Sequence, residues 1–137
     1  MKRIHSSVAI AAAIAVLTGI AGIRGLRAQP APAVKRTVLL KQDTTVAGRE
    51  AVMAMVELPP GSTEGRHTHF AEVYAFVLEG TPTLDVEGQP TRVFKAGDVF
   101  TIAPGLVHEG SNKSSAPVKL SVVFFAEKGK PLTTPAP

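Results

Sequence analysis

The sequence predicts an all-β domain, a sandwich or barrel of short strands. Three observations carry that reading. Short apolar runs recur along the chain after residue 33, each bounded by Gly, Pro or Asp residues that favour turns. No segment in that stretch shows the apolar period of a long amphipathic helix. There is no cysteine, so no disulfide framework replaces a core, and a chain of about 109 residues beyond the first 28 is long enough to bury one on its own.

Residues 1–28 read as a secretory signal. Lys2 and Arg3 form a positive start, and an apolar stretch of Ala, Ile, Val and Leu runs from Val8 to Ile23. Cleavage is expected after Ala28. Leu26, third from that cut, departs from the small-residue rule, and the alternative is an uncleaved N-terminal anchor. Against a membrane span, the apolar stretch is short and is interrupted by Gly19 and Gly22.

Residues 29–33 form a Pro/Ala linker without hydrophobic periodicity, and the domain is expected over 34–128. Its strand candidates are 34–40, 50–58, 66–69, 73–78, 83–86, 91–94, 99–102, 107–109 and 118–125. Pro59-Pro60-Gly61, Glu79-Gly80, Glu87-Gly88, Ala96-Gly97-Asp98 and Pro104-Gly105 separate them. The 50–58 run is apolar on both faces, with Met53 and Met55 on one side and Val52, Ala54 and Val56 on the other, which points to packing between sheets or to a dimer interface. Residues 129–137 are rich in Pro and Thr and are expected to stay mobile as a tail.

Charge narrows the partners. The chain has 15 Lys+Arg and 11 Asp+Glu, but Lys2, Arg3, Arg24 and Arg27 lie in the signal segment, so the remainder is balanced. No basic cluster with interleaved aromatics is present, which argues against nucleic acid as a partner. Once the signal is removed, nothing predicts a stable membrane association. A Gly-Lys-Ser/Thr phosphate loop, a Ser-His-Asp set and a Rossmann fingerprint are all absent, leaving phosphate transfer, serine hydrolysis and dinucleotide binding without support.

The histidines are the chemical signal. Three of the four, His67, His69 and His108, fall in the domain, while His5 lies in the signal segment. Side chains alternate along an extended chain, so the i, i+2 spacing of His67 and His69 aims both rings to one side. His108 follows the Pro104-Gly105 turn and supplies a third ligand if its strand faces the first pair. Three imidazoles suit Fe²⁺, Mn²⁺, Ni²⁺, Cu²⁺ or Zn²⁺ rather than the oxygen-seeking Mg²⁺ and Ca²⁺. By the same alternation Val73, Ala75 and Val77 point inward. They give a small, mostly apolar pocket without a buried charge, suited to a small, weakly polar or aromatic substrate that reaches the metal through one or two oxygens.

Two stretches carry a family resemblance. Gly61-x5-His67-x-His69, continuing through 74–80 to Gly80, resembles the first cupin motif, and Gly97 through Pro104-Gly105-x2-His108-x3-Asn112 resembles the second. The likeness covers about 34–132. It implies one double-stranded β-helix, or jelly roll, often paired as a homodimer, on a scaffold that hosts many chemistries. It also implies a ligand carboxylate seven residues before Gly80, where this chain has Val73. The neighbouring Glu72 points to the opposite face by parity and replaces the lost ligand only through a bulge or register shift. The ligand set is therefore His67, His69 and His108, with or without Glu72. Phe70 and Ala103 stand where the family favours proline. Some cupin dioxygenases hold iron with three histidines alone.

The remaining polar candidates read as structural. Tyr74, the only tyrosine, is expected on the outer sheet, Arg66 as a solvated strand charge and Asn112 as a turn former. The expected function is that of a secreted or periplasmic metal-binding cupin with oxygenase-like chemistry on a small substrate. The alternative is a non-catalytic cupin that binds a small ligand or metal. A metal-independent isomerase would need an inward acid/base pair, and alternation supplies none beyond the histidines.

Overall fold

A computed structural model describes residues 29–137. The signal segment 1–28, with His5, lies outside the described residues. Ten strands form among them: β1 (Lys35–Asp43), β2 (Arg49–Leu58), β3 (His67–Thr68), β4 (Ala71–Glu79), β5 (Thr83–Val86), β6 (Arg92–Val93), β7 (Val99–Ile102), β8 (His108–Ser111), β9 (Val118–Glu127) and β10 (Thr134–Pro135). They make two five-stranded antiparallel sheets, β1-β2-β9-β4-β7 and β10-β3-β8-β5-β6. This is the expected all-β double-stranded β-helix.

The first sheet supplies most of the core. β2 and β9 pair without a break from Arg49↔Glu127 to Leu58↔Val118, and β4 lies on the other side of β9. Alternation along each strand buries Val52, Ala54, Val56 and Leu58 with Leu120, Val122, Phe124 and Ala126, while Val73, Ala75 and Val77 continue the same face. Complete burial of a Val or Leu side chain contributes roughly 1.5–3 kcal/mol, so this face dominates the stability. Across from it the second sheet contributes Leu84 and Val86, but also the buried His67, His108, Thr83 and Ser111. The polar site is therefore an island in an apolar interior, carried by the second sheet.

The turn glycines take the conformation the sequence implied. Gly80, at φ +79°, leaves β4 so tightly that a Cβ there would lie 2.3 Å from the Pro117 carbonyl oxygen, a combination of left-handed backbone and close approach that only glycine meets.

Several boundaries differ from expectation. The 66–69 and 91–94 runs shrink to the two-residue β3 and β6, whereas β4 begins at Ala71 and β1 runs on to Asp43. In β1 every residue is exposed, because it is an edge strand with a register irregularity between Val38 and Leu40. The 129–137 segment is not a free tail. Thr134 and Pro135 pair with Thr68 and His67, and the Ala136 N–H donates to the Arg66 carbonyl at 3.0 Å. Its Pro content hides this role, since proline is compatible with an edge strand whose outer side needs no N–H.

Candidate metal centre

β3 is short, but it sits between β10 and β8, and that position aims its first residue inward. His67 is the Cα partner of His108 on β8, and His69, just beyond the strand end, returns to the same side. All three rings are buried, at 4 %, 7 % and 3 % exposure for His67, His69 and His108. Each offers one ring nitrogen to a group whose ligand atoms lie within 4.8 Å of one another.

Their outer nitrogens fix the chemistry of the inner ones. The Nδ1 atoms of His67, His69 and His108 lie 2.7, 2.8 and 2.8 Å from the carbonyl oxygens of Gly65, Leu132 and Leu106. A carbonyl only accepts, so each Nδ1 carries the proton and donates it. The Nε2 atoms of the neutral rings are left as lone pairs, and those of His67 and His69 face each other at 3.2 Å. Burial, foremost, pushes His69 down to about 4, helped by the charges of His67, His108 and Arg36, and burial likewise lowers His108. Burial thus favours the neutral form of His69 and His108, the state that ligates a metal.

The carboxylate left open by the sequence is not part of the group. Glu72 lies on the outer face of β4, exposed, and accepts a hydrogen bond from the Tyr74 hydroxyl at 2.5 Å. No bulge turns it inward, since Ala71 to Val77 keep an unbroken register with β9. Val73 points inward instead, buried beside the histidines. Asn112 has no spare capacity: its amide donates to the Leu58 and Ala116 carbonyls, and its oxygen accepts from the backbone and hydroxyl of Ser114. Arg66 is on the surface, paired with Glu87 at 2.6 Å.

His69 and His108 open onto a cavity between the sheets whose walls include Val73, Phe100 and Phe124. The cavity has a volume of about 40 Å³, enough for a few waters or a substrate of few heavy atoms. The expectation of an uncharged pocket fails here. Arg36 from β1 and Glu64 from the β2–β3 loop line the cavity as an ion pair at 2.6 Å. Sequence alternation did not reveal them, because β1 pairs with β2 in a register that places Arg36 opposite the inward Val56, and Glu64 belongs to no strand.

Residues 54–124 match the family model described as the cupin domain, Cupin_2. Among curated proteins, none matches the chain. Solved structures similar to it include the DMSP lyase DddQ of Ruegeria pomeroyi, at 20 % identity and a TM-score of 0.65 over 75 % of this chain and 51 % of that one. A cupin-like protein of Thermotoga maritima is 20 % identical, with a TM-score of 0.62 over 75 % of each chain. A recombinant oxalate oxidase in complex with glycolate is 26 % identical, with a TM-score of 0.56 over 62 % of this chain and 45 % of that one. The chain thus spans about half the length of the lyase, and what the likeness to it establishes is the fold.

Proposed function

The chain belongs to the Cupin_2 family of cupin domains, and from that premise we propose that it is a secreted or periplasmic protein holding a divalent transition metal on His67, His69 and His108 and presenting it to a small substrate. One observation carries the reading. Three buried imidazoles have every Nδ1 proton committed to a backbone carbonyl, so their Nε2 atoms converge as the ligating positions. Lone pairs facing each other at 3.2 Å repel, and a cation between them removes that cost. The donor set fits Fe, Mn, Ni, Cu or Zn, and three protein ligands leave positions for a substrate oxygen.

When bound, such an ion supplies Lewis-acid capture of a substrate anion and, if redox-active, a route for electrons to dioxygen. The chain's own residues do the rest. The three carbonyls hold the rings in one orientation, Val73 and Phe124 keep the cavity apolar, and Val73 withholds a fourth protein ligand. DMSP lyase and oxalate oxidase activities among similar structures support a small-molecule substrate on this scaffold. A homodimer belongs to the same proposal. Tyr74, Phe76, Leu78 and Val99, exposed at 47, 43, 43 and 69 %, make the outer face of β4 and β7 unusually apolar for a free surface.

The test is elemental analysis of residues 29–137 purified from the cell envelope without chelator, beside the His67→Ala/His108→Ala double variant. Near-stoichiometric metal in the parent alone is the expected result. No metal in either overturns the metal reading and favours a cupin that binds a small ligand without one.

A further inference from the structure

Among the described residues, Arg36 and Glu64 are the only charged side chains on the wall of the cavity beside the histidines, and the proposed function assigns them nothing. Their setting is a built one. Glu64 is held by its backbone N–H on the Gly110 carbonyl at 2.9 Å, and its carboxylate lies flat against Gly110, where a Cβ would meet Oε2 at 2.3 Å. One carboxylate oxygen accepts from Arg36 at 2.6 Å. The Glu64 side chain is 14 % exposed and that of Arg36 42 % exposed, so the pair runs from the cavity wall toward solvent. Among the described residues, Arg36 has no other side-chain hydrogen bond, and most of the five N–H donors of its guanidinium remain for a further acceptor.

Charge decides what that acceptor is. Three neutral imidazoles leave the full double charge of a divalent ion in an apolar cavity, and Val73 removes the carboxylate that would have reduced it. The Arg36 and Glu64 charges cancel. A site with net positive charge and a planar donor fork at its edge selects a carboxylate. The small free volume restricts the rest of the molecule to a short apolar chain.

We propose that Arg36 is the substrate-recognition residue of this cavity, that it binds the carboxylate of a small, short-chain monocarboxylic acid, and that Glu64 is its internal competitor. The proposal deepens the metal-binding reading and rests on it for the second anchor of the substrate. The hydrogen bonds that Arg36 offers need no metal, whereas the net positive charge that favours an anion is the ion's.

The experiment is calorimetric titration of propionate and of its neutral isostere propionamide into the chain, metal-free and zinc-loaded. The parent is compared with Arg36→Gln and Glu64→Gln, with circular dichroism confirming each fold. The expected result is that propionate binds at least about tenfold more tightly than propionamide, that Arg36→Gln abolishes this preference, and that Glu64→Gln strengthens propionate binding. A merely structural ion pair predicts the same direction of change for both variants. Equal propionate affinity in the parent and Arg36→Gln overturns the proposal. If zinc fails to bind while the Arg36-dependent preference persists in the metal-free protein, the metal reading falls and the recognition role stands.

Discussion

His67 and His108 are direct cross-strand partners in the β3–β8 pair, with ring centroids 4.3 Å apart. Two neutral imidazoles so close gain little from each other, so the arrangement is stabilised most by something bound between their Nε2 atoms. Zinc added to metal-free protein at about a hundred times its Kd should raise the unfolding free energy by about 2.7 kcal/mol. His108→Ala should abolish that gain while leaving a folded, cooperative transition. Equal zinc stabilisation in both proteins would exclude His108 from the ligand set.

Burial of the triad also sets the pH response of the metal-free protein. His69 titrates at about 4 when folded, below its ordinary 6.5, and His108 moves in the same direction. As pH falls below 6.5, the unfolded chain takes up protons that the folded chain refuses, and stability declines until the folded rings protonate as well. The contribution is thus complete above 6.5 and is lost down to about 4, by up to about 3 kcal/mol for His69. Urea midpoints measured across this range should fall with pH in the parent, and less steeply in His69→Gln. An unchanged slope in the variant would mean that another group governs the acid limb.

Glu72 provides a test that separates the two faces of β4. Its carboxylate accepts the Tyr74 hydroxyl proton at the outer surface, and that hydrogen bond, followed by the carboxylate's charge, raises the tyrosine above its usual 10. Glu72→Gln should therefore lower the Tyr74 titration, readable by tyrosinate absorbance because the chain has one tyrosine and no tryptophan. Metal content should not change. Lost metal with an unmoved tyrosine would place Glu72 among the ligands after all.

Local pattern was legible in the sequence where function depends on local periodicity. The i, i+2 histidines, the inward Val73 and Ala75 and the turn glycines follow from alternation and backbone sterics, which need no knowledge of neighbours. Arg36 was not legible, because the face of an edge strand is set by its partner's register and Val38/Leu40 breaks the alternation within β1. Glu64 sits in a loop, where no period indicates direction. The 129–137 segment misled for a different reason. Its composition describes a chain that cannot build a core, whereas its role requires only two residues of pairing and a few carbonyls facing β3.

That segment reaches the centre itself. The Leu132 carbonyl accepts the His69 Nδ1 proton at 2.8 Å, and Thr133 Oγ1 lies 3.4 Å from the same nitrogen, so the chain after Pro131 fixes the tautomer and orientation of one ring of the triad. β10 also covers the outer edge of the two-residue β3, which has only β8 on its other side. The main core, built on β2, β9 and β4, does not involve these residues apart from a partly buried Leu132. Deleting residues 132–137 should accordingly leave a folded domain with a slightly lower melting temperature but weaken zinc binding by about 10–100-fold, the usual cost of removing a hydrogen-bond partner of a ligating imidazole. His69 should also lose its strongly lowered titration, followed by its ring proton resonances in NMR, as the ring becomes more exposed. Unchanged zinc affinity in the truncated chain would show that Phe124, whose ring lies 5.0 Å from that of His69, is enough to hold it in place.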